Sequence, residues 1–295
     1  MPALALIFNA FVWGVSWFPF RHIENHGLHP VWTTCLIYLA ITVVMGLVRR
    51  HAWQGFAAYP MLVALGLAAG FTNVGFNWAV TQGDVVRVVL LFYLMPLWSV
   101  LLGERPTGGA LARVALALTG VVVVLKTPGT DWPVPSSLPD WLGLAAGFSF
   151  AVTNIVLRHL RPAPGESRAL AMFCGCAFVS GVTALIGTSF GVIGSPTAAS
   201  AGWIGWAALL GIGFVFANVC LQYGAARLTA SATSVIMLSE VLFASSSSVA
   251  LGAATMDARI WIGGALIVLA AAWSAFARSP AGEDDRHSPL QKDMP

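Results

Sequence analysis

Glu240 is the one acid well inside an apolar stretch of this 295-residue chain, midway along a segment at about 230–252. An ionised carboxylate at a bilayer centre costs about 3 kcal/mol or more, so Glu240 must face a polar cavity or hold its proton. In a cavity it suits proton exchange or contact with a substrate ammonium. Otherwise it is a neutral acid tying helices together beside Ser239, Ser245 and Ser247.

Amides recur nearby in kind. Asn73 and Asn77 stand four residues apart, as do Asn218 and Gln222, and a spacing of four puts each pair on one helix face. Such a face lines a cavity or bonds to a neighbouring helix at about 0.6 kcal/mol per contact. Trp13 and Trp17 also share a helix face, and Tyr93, Pro96 and Trp98 cluster further along. Aromatic walls with a few amides and one acid suit a planar apolar solute that carries an amino-acid head group. Pro19 and Pro96 interrupt helical hydrogen bonding and read either as hinge or gate positions or as ordinary kinks, and Gly66, Gly70 and Gly75 permit close helix approach or bending.

Other constellations point to less. His22, His26 and His29 with Glu24 fall in the first external loop, where a helical turn would put His22 and His26 on one face; a solvated loop is the expectation, and no metal site is assigned. Cys35, Cys174, Cys176 and Cys220 lie in apolar stretches and read as small buried thiols rather than a disulfide framework. There is no G-x-x-x-x-G-K-[ST] loop, no H-E-x-x-H and no intramembrane aspartate pair. The sequence supplies no motif for primary pumping or familiar intramembrane proteolysis, and no cofactor is expected.

These residues need elements to position them, and composition says which. The chain is 58% hydrophobic and 9% charged, against about 25% charged for a soluble domain, so most of it faces lipid or a buried core. Fifteen basic and twelve acidic residues, scattered, make no nucleic-acid surface. Apolar runs bounded by Gly, Pro and charge mark ten segments, at about 3–20, 31–48, 60–82, 85–103, 108–126, 139–160, 168–190, 202–223, 230–252 and 258–277. Their length, with no long alternating pattern, predicts an all-α integral membrane protein. The first segment lacks a basic leader and a convincing cleavage site, and reads as an uncleaved span. With the N-terminus inside, eleven of the fifteen Lys and Arg fall on the cytoplasmic side and four, Arg21, Arg87, Lys126 and Arg259, on the other. That split predicts both termini in the cytoplasm. Residues 279–295 read as a disordered cytoplasmic tail.

An internal repeat organises the segments. Phe71-Thr72-Asn73-Val74 matches Phe216-Ala217-Asn218-Val219 at a spacing of 145 residues, and at the same spacing Asn77-Trp78 matches Gln222-Tyr223 and Leu97-Trp98 matches Leu242-Phe243. Five segments per copy is an odd number, so the copies have opposite orientation, and inverted repeats place a binding site near mid-membrane where the halves meet. The expected domains are a five-helix repeat over 1–127, a connecting loop over 128–138 and a second repeat over 139–278.

Three features resemble the ten-helix, EamA-type members of the drug/metabolite transporter superfamily. They are Trp13-Gly14-Val15-Ser16-Trp17, then Pro96 with Gly103-Glu104-Arg105-Pro106, then the closing patterns Gly120-Val121-Val122-Val123-Val124-Leu125 and Gly263-Gly264-Ala265-Leu266-Ile267-Val268. The aromatic content is similar to that of bacterial aromatic amino-acid exporters in the superfamily. The resemblance implies a basket-like bundle with a central cavity formed chiefly by helices one, three, four, six, eight and nine. Carried over by position, Trp17, Asn73, Asn77, Tyr93, Trp98, Asn154, Gln222 and Glu240 line or border it. Val241 stands where the family's second copy often has proline after the acid, and Gly252-Ala253 stands where a partner of Glu104 is looked for, which puts symmetrical movement of the halves in doubt.

The function expected is export of amino acids, Phe, Tyr and Trp first, and of related metabolites or drugs, across a bacterial inner membrane by alternating access. The protein is expected to act as a monomer, with a small-molecule substrate and the bilayer as its partners. The competing readings are an intramembrane enzyme or lipid-handling protein using Glu240, which needs a second group at hydrogen-bond range, and a uniporting channel.

Overall fold

The computed structural model describes residues 2–95, 98, 101–102, 108–125, 135–196, 202–225, 236, 239–253 and 257–276. Pro96, the Gly103-Glu104-Arg105-Pro106 motif, most of the connecting loop and the C-terminal tail lie outside them. Among the described residues every regular element is helical: α1 Pro2–Val15, α2 Trp17–Asn25, α3 Pro30–Val48, a 3-10 turn Arg50–Trp53, α4 Gln54–Ala58, α5 Met61–Gln82, α6 Val85–Phe92, α7 Gly108–Leu125, α8 Leu138–His159, α9 Gly165–Ser189, α10 Gly202–Ala225, α11 Ser239–Ala250 and α12 Ala258–Phe276.

Among the described residues, six stretches are long and apolar enough to cross a membrane: Pro2–Asn25, Pro30–Val48, Met61–Gln82, Leu138–Leu157, Gly165–Ser189 and Gly202–Leu221. They coincide with the first, second, third, sixth, seventh and eighth expected segments. Large side chains left facing outward along them, such as Val44, Leu47, Val63, Phe71, Phe178, Leu185, Leu209 and Phe216, make a surface that water does not tolerate and lipid does. Phe71 and Phe216, 145 residues apart, are 60% and 58% exposed.

Two segments differ locally from the expectation, and prolines explain the first. Pro19 has no N–H to offer the Val15 carbonyl four residues back. The helix therefore tightens at Ser16, whose N–H reaches Trp13 O at 3.2 Å and whose Oγ donates to the same oxygen at 2.8 Å. Past this turn the chain winds on to Asn25, so His22 and Glu24 belong to α2 and not to a loop. The fourth segment is interrupted after Phe92: Tyr93 closes α6, Leu94 N reaches only Leu91 O, at 3.2 Å, and helix is present again at Met95, Trp98 and Leu101. Asp84 starts that helix by accepting from the Arg87 N–H at 2.8 Å.

Packing sets α5 at the centre, against α9 on one side and α8 on the other. The α3 helix packs on α9, α1 on both α10 and α11, α6 on both α8 and α11, and α7 on α12. Small residues let these backbones meet. A Cβ on Gly175 of α9 would stand 1.9 Å from the Gly66 carbonyl oxygen of α5, and one on Gly70 would stand 2.5 Å from Gly175 O. On α7, a Cβ at Gly120 would stand 2.7 Å from Gly263 O of α12.

Candidate functional site

The buried centre is built from aromatic rings carried by different helices. Trp13 stacks on Phe214 at 4.7 Å and meets Phe76 edge-on at 6.2 Å. Phe76 meets Phe92 at 4.9 Å, and Phe92 contacts Phe150 at 5.4 Å and Tyr93 at 5.7 Å. Tyr38 extends the series beyond Phe214, with its ring nearly parallel at 5.8 Å. The rings come from α1, α3, α5, α6, α8 and α10, far apart in sequence, and each adds stacking and edge-to-face energy to the burial of its area.

Glu240 closes one end of this series. It lies in the first turn of α11 and is only 5% exposed. The Tyr93 hydroxyl donates to its Oε2 at 2.8 Å. The tightened end of α6 is what aims Tyr93 there, and Gly14 of α1 is what lets α11 come close: a Cβ at Gly14 would stand 2.9 Å from Glu240 O and 2.7 Å from the Phe243 Cβ. Two turns along α11, on the same face as Glu240, Ser247 Oγ accepts from Trp17 Nε1 at 3.0 Å. Trp17, Tyr93 and Glu240, expected as site residues, are thus brought together on α2, α6 and α11, in a core shared with Phe76, Phe92, Val241 and Ala244.

The third-segment amides sit elsewhere, on the seam with α3. Asn73 Oδ1 accepts from the Tyr38 hydroxyl at 2.6 Å, and its Nδ2 donates to Ala69 O at 2.9 Å. Asn77, fully buried, donates from Nδ2 to Thr34 Oγ1 at 3.1 Å. Both amides are occupied in interhelical bonding, although Asn77 Oδ1 has no hydrogen-bond partner among the described residues. Trp98 packs edge-on against Phe148 at 5.5 Å, and its buried Nε1 has no hydrogen-bond partner among the described residues. Asn154 is half-buried on α8, one turn beyond Phe150. The Gln222 side chain is outside the described set, as is Pro96, while Pro19 is buried in the first turn of α2.

Polar groups gather at both ends of the bundle: Arg49 and His51 meet Glu166 at one, and a larger set stands at the other. Arg21 lies 5.0 Å over the Trp17 ring and donates from Nε to Thr81 O at 2.8 Å and from Nη2 to Gly83 O. Arg87 makes a two-bond pair with Asp140, at 2.8 and 2.9 Å. Gln82 links Trp78, Glu24 and His29. His22 and His26 lie 4.6 Å apart with Trp206 beside them; among the described residues no three His, Cys, Asp or Glu side chains gather as metal ligands.

Sequence reasoning missed Arg87–Asp140, the buried Asn9 that donates to Ala217 O at 2.8 Å, and the ring series through Phe76, Phe92 and Phe214. The opposite charges at the starts of the fourth and sixth segments were a signal for the ion pair. The rings were indistinguishable from lipid-facing aromatics until the helices were placed.

Residues 1–126 match the EamA-like transporter family. Over 159 residues, 51% of this chain, the sequence is 28% identical to Protein RarD of Streptomyces exfoliatus; the matched part is 47% of that protein, so the chain spans about half the length of this curated relative. A solved crystal structure aligns over 92% of this chain and 96% of its own, with a TM-score of 0.55 at 20% identity, a likeness of fold.

Proposed function

We propose, for a chain whose first 126 residues match the EamA-like transporter family, that it is a secondary transporter moving amino acids, aromatic ones first, by alternating access of two inverted five-helix halves over 1–127 and 139–278. The observation that carries this reading is the Tyr93–Glu240 bond set in aromatic rings drawn from helices across both halves. A ring-bearing solute enters such a place by exchanging one aromatic contact for another, while its ammonium meets the acid. Trp17, Tyr93, Trp98, Asn154 and Glu240 are the contacts in this account, with Gln222 as their expected partner from the second half. Asn73 and Asn77 hold the α3–α5 seam, and Pro19 and Pro96 are the bending points.

The inverted arrangement draws support from packing. Count α1 with α2 as helix one, α3, α5, α6 and α7 as two to five, and α8 to α12 as six to ten. Exchanging each helix with the one five places on turns the α5–α8 contact into α10–α1, α6–α8 into α11–α1 and α5–α9 into α10–α3, all of which are present. The α3–α9, α6–α11 and α7–α12 contacts map onto themselves and are present too. Bacterial inner membrane, cytoplasmic termini and monomeric action complete the proposal.

Uptake of labelled tryptophan into liposomes holding the purified protein tests it. Saturable uptake inhibited by phenylalanine and tyrosine more than by leucine is expected, with a response to a pH gradient that Glu240→Gln abolishes. Uptake equally inhibited by leucine would overturn the aromatic assignment.

A further inference from the structure

We infer that Arg87 and Asp140 form a latch that closes one end of the bundle and whose arginine the second half does not repeat, so the resting protein is biased toward the conformation closed at the Arg87 end. The inference rests on the alternating-access reading and adds to it an inequality between the two gates.

The pair joins the first turn of α6 to the first turn of α8, that is, helix four of the first half to helix six, the opening helix of the second. Its side chains are 18% and 3% exposed. Asp140 Oδ2 also accepts from the Ser136 N–H at 3.1 Å, and the Asp140 N–H donates to Ser137 Oγ at 3.3 Å. The carboxylate is therefore held on its own element before Arg87 reaches it, and a planar guanidinium meeting it with two bonds fixes direction as well as distance. Below the pair the same seam is closed by glycine: a Cβ on Gly143 would stand 3.2 Å from Val88 O, and one on Gly147 would stand 2.5 Å from Phe92 O. Beside it, a Cβ at Gly83 would stand 2.5 Å from the Pro139 Cβ, and Arg21 binds the Thr81 and Gly83 carbonyls. Helices one, three, four and six are tied together at this end.

Exchange of the halves turns the α6–α8 seam into the α11–α1 seam. Among the described residues that seam carries Gly14 against Glu240 O and Phe11 edge-on to Phe243 at 5.4 Å. At the 145-residue spacing of the repeat, Ala232 stands where Arg87 stands in the first half. Parting α6 from α8 strands a buried charge, whereas parting helix one from α11 breaks, among the described residues, the neutral Trp17–Ser247 bond and apolar contacts, so the first opening is the rarer.

The test reads access without substrate, so it can fail while transport stands, and stand while transport fails. Val80, buried on α5 one turn from Gly83, is changed to cysteine in protein whose four native cysteines are alanine, reconstituted in nanodiscs, and its labelling rate by a charged thiol reagent is measured. Arg87→Lys, which keeps the charge and loses the two-bond geometry, is expected to raise the rate about threefold, and Arg87→Met with Asp140→Leu at least tenfold. The exchanged pair Arg87→Asp with Asp140→Arg is expected to return it toward the starting value. Labelling unchanged in both Arg87→Lys and the apolar double variant would overturn the latch. Should the double variant not assemble, Arg87→Lys alone decides, since it keeps both charges in place.

Discussion

The Tyr93 hydroxyl donates to Glu240 Oε2 at 2.8 Å across 147 residues of sequence, so the end of α6 and the start of α11 are joined by one buried hydrogen bond. Tyr93 stands at the interruption that closes α6, and backbone there can shift without breaking a continuous ladder. A hydrogen bond is worth about 0.5–1.5 kcal/mol when the acid is neutral and about 1.5–3 kcal/mol when it is ionised. Tyr93→Phe should therefore lower initial transport at subsaturating tryptophan by roughly twofold to a hundredfold, while the protein still elutes as a single species. Wild-type rates in that variant would mean that the bond is idle in transport.

Asn77 and Asn73 are occupied by Thr34 and Tyr38, and predictions about them follow from that. Asn77→Ala and Tyr38→Phe should each lower stability in detergent by about 0.6–1.7 kcal/mol and leave the KM for tryptophan within about twofold, as expected for groups that hold a seam. A tenfold rise in KM with unchanged thermal stability would return these amides to the substrate site.

Two glycines separate close packing from open surface. Gly175 faces the Gly66 carbonyl at a distance no Cβ tolerates, whereas Gly205 of α10 has nothing within 4 Å of its Cβ position. Gly175→Ala should force α5 and α9 apart and lower stability by about 1–3 kcal/mol. Gly205→Ala should leave stability unchanged or raise it by about 0.5–1 kcal/mol. Thermal unfolding of the two variants checks the pair, and equal effects would contradict the α5–α9 contact.

His29 supplies a pH dependence outside the spans. Burial against Trp78 and Gln82 holds its imidazole down at about 4, from an ordinary value of 6.5. Between those values the unfolded chain takes a proton that the folded chain refuses, so stability falls as pH drops from about 6.5 to about 4 and levels off below. His29→Gln should flatten the thermal midpoint across that interval and leave it unchanged above pH 7.

The sequence made the helical class legible because apolar length is a backbone requirement in lipid, and six segments of the right length stand where the runs predict. It also made Glu240 stand out, since a lone acid is a rare residue to place in a span. Partners were a different matter. Nothing in the spacing of Asn73 and Asn77 says whether the face they share meets a cavity or α3, because lipid, core and cavity walls carry similar residues. His22 read as loop because charge and histidine follow Pro19, yet a proline in the first turn of α2 permits helix to continue. Arg87 and Asp140 are 53 residues apart, and only the packing of α6 on α8 turns two ordinary end charges into a buried pair.

Trans-stimulation tests the central claim most directly. Liposomes holding the protein are loaded with unlabelled tryptophan or left empty, and the initial uptake of labelled tryptophan is compared. Alternating access predicts severalfold faster uptake into the loaded liposomes, because a substrate-bound carrier returns faster than an empty one, and saturation with rising external tryptophan. Uptake that rises linearly with concentration and ignores the internal load would contradict it and identify a channel instead.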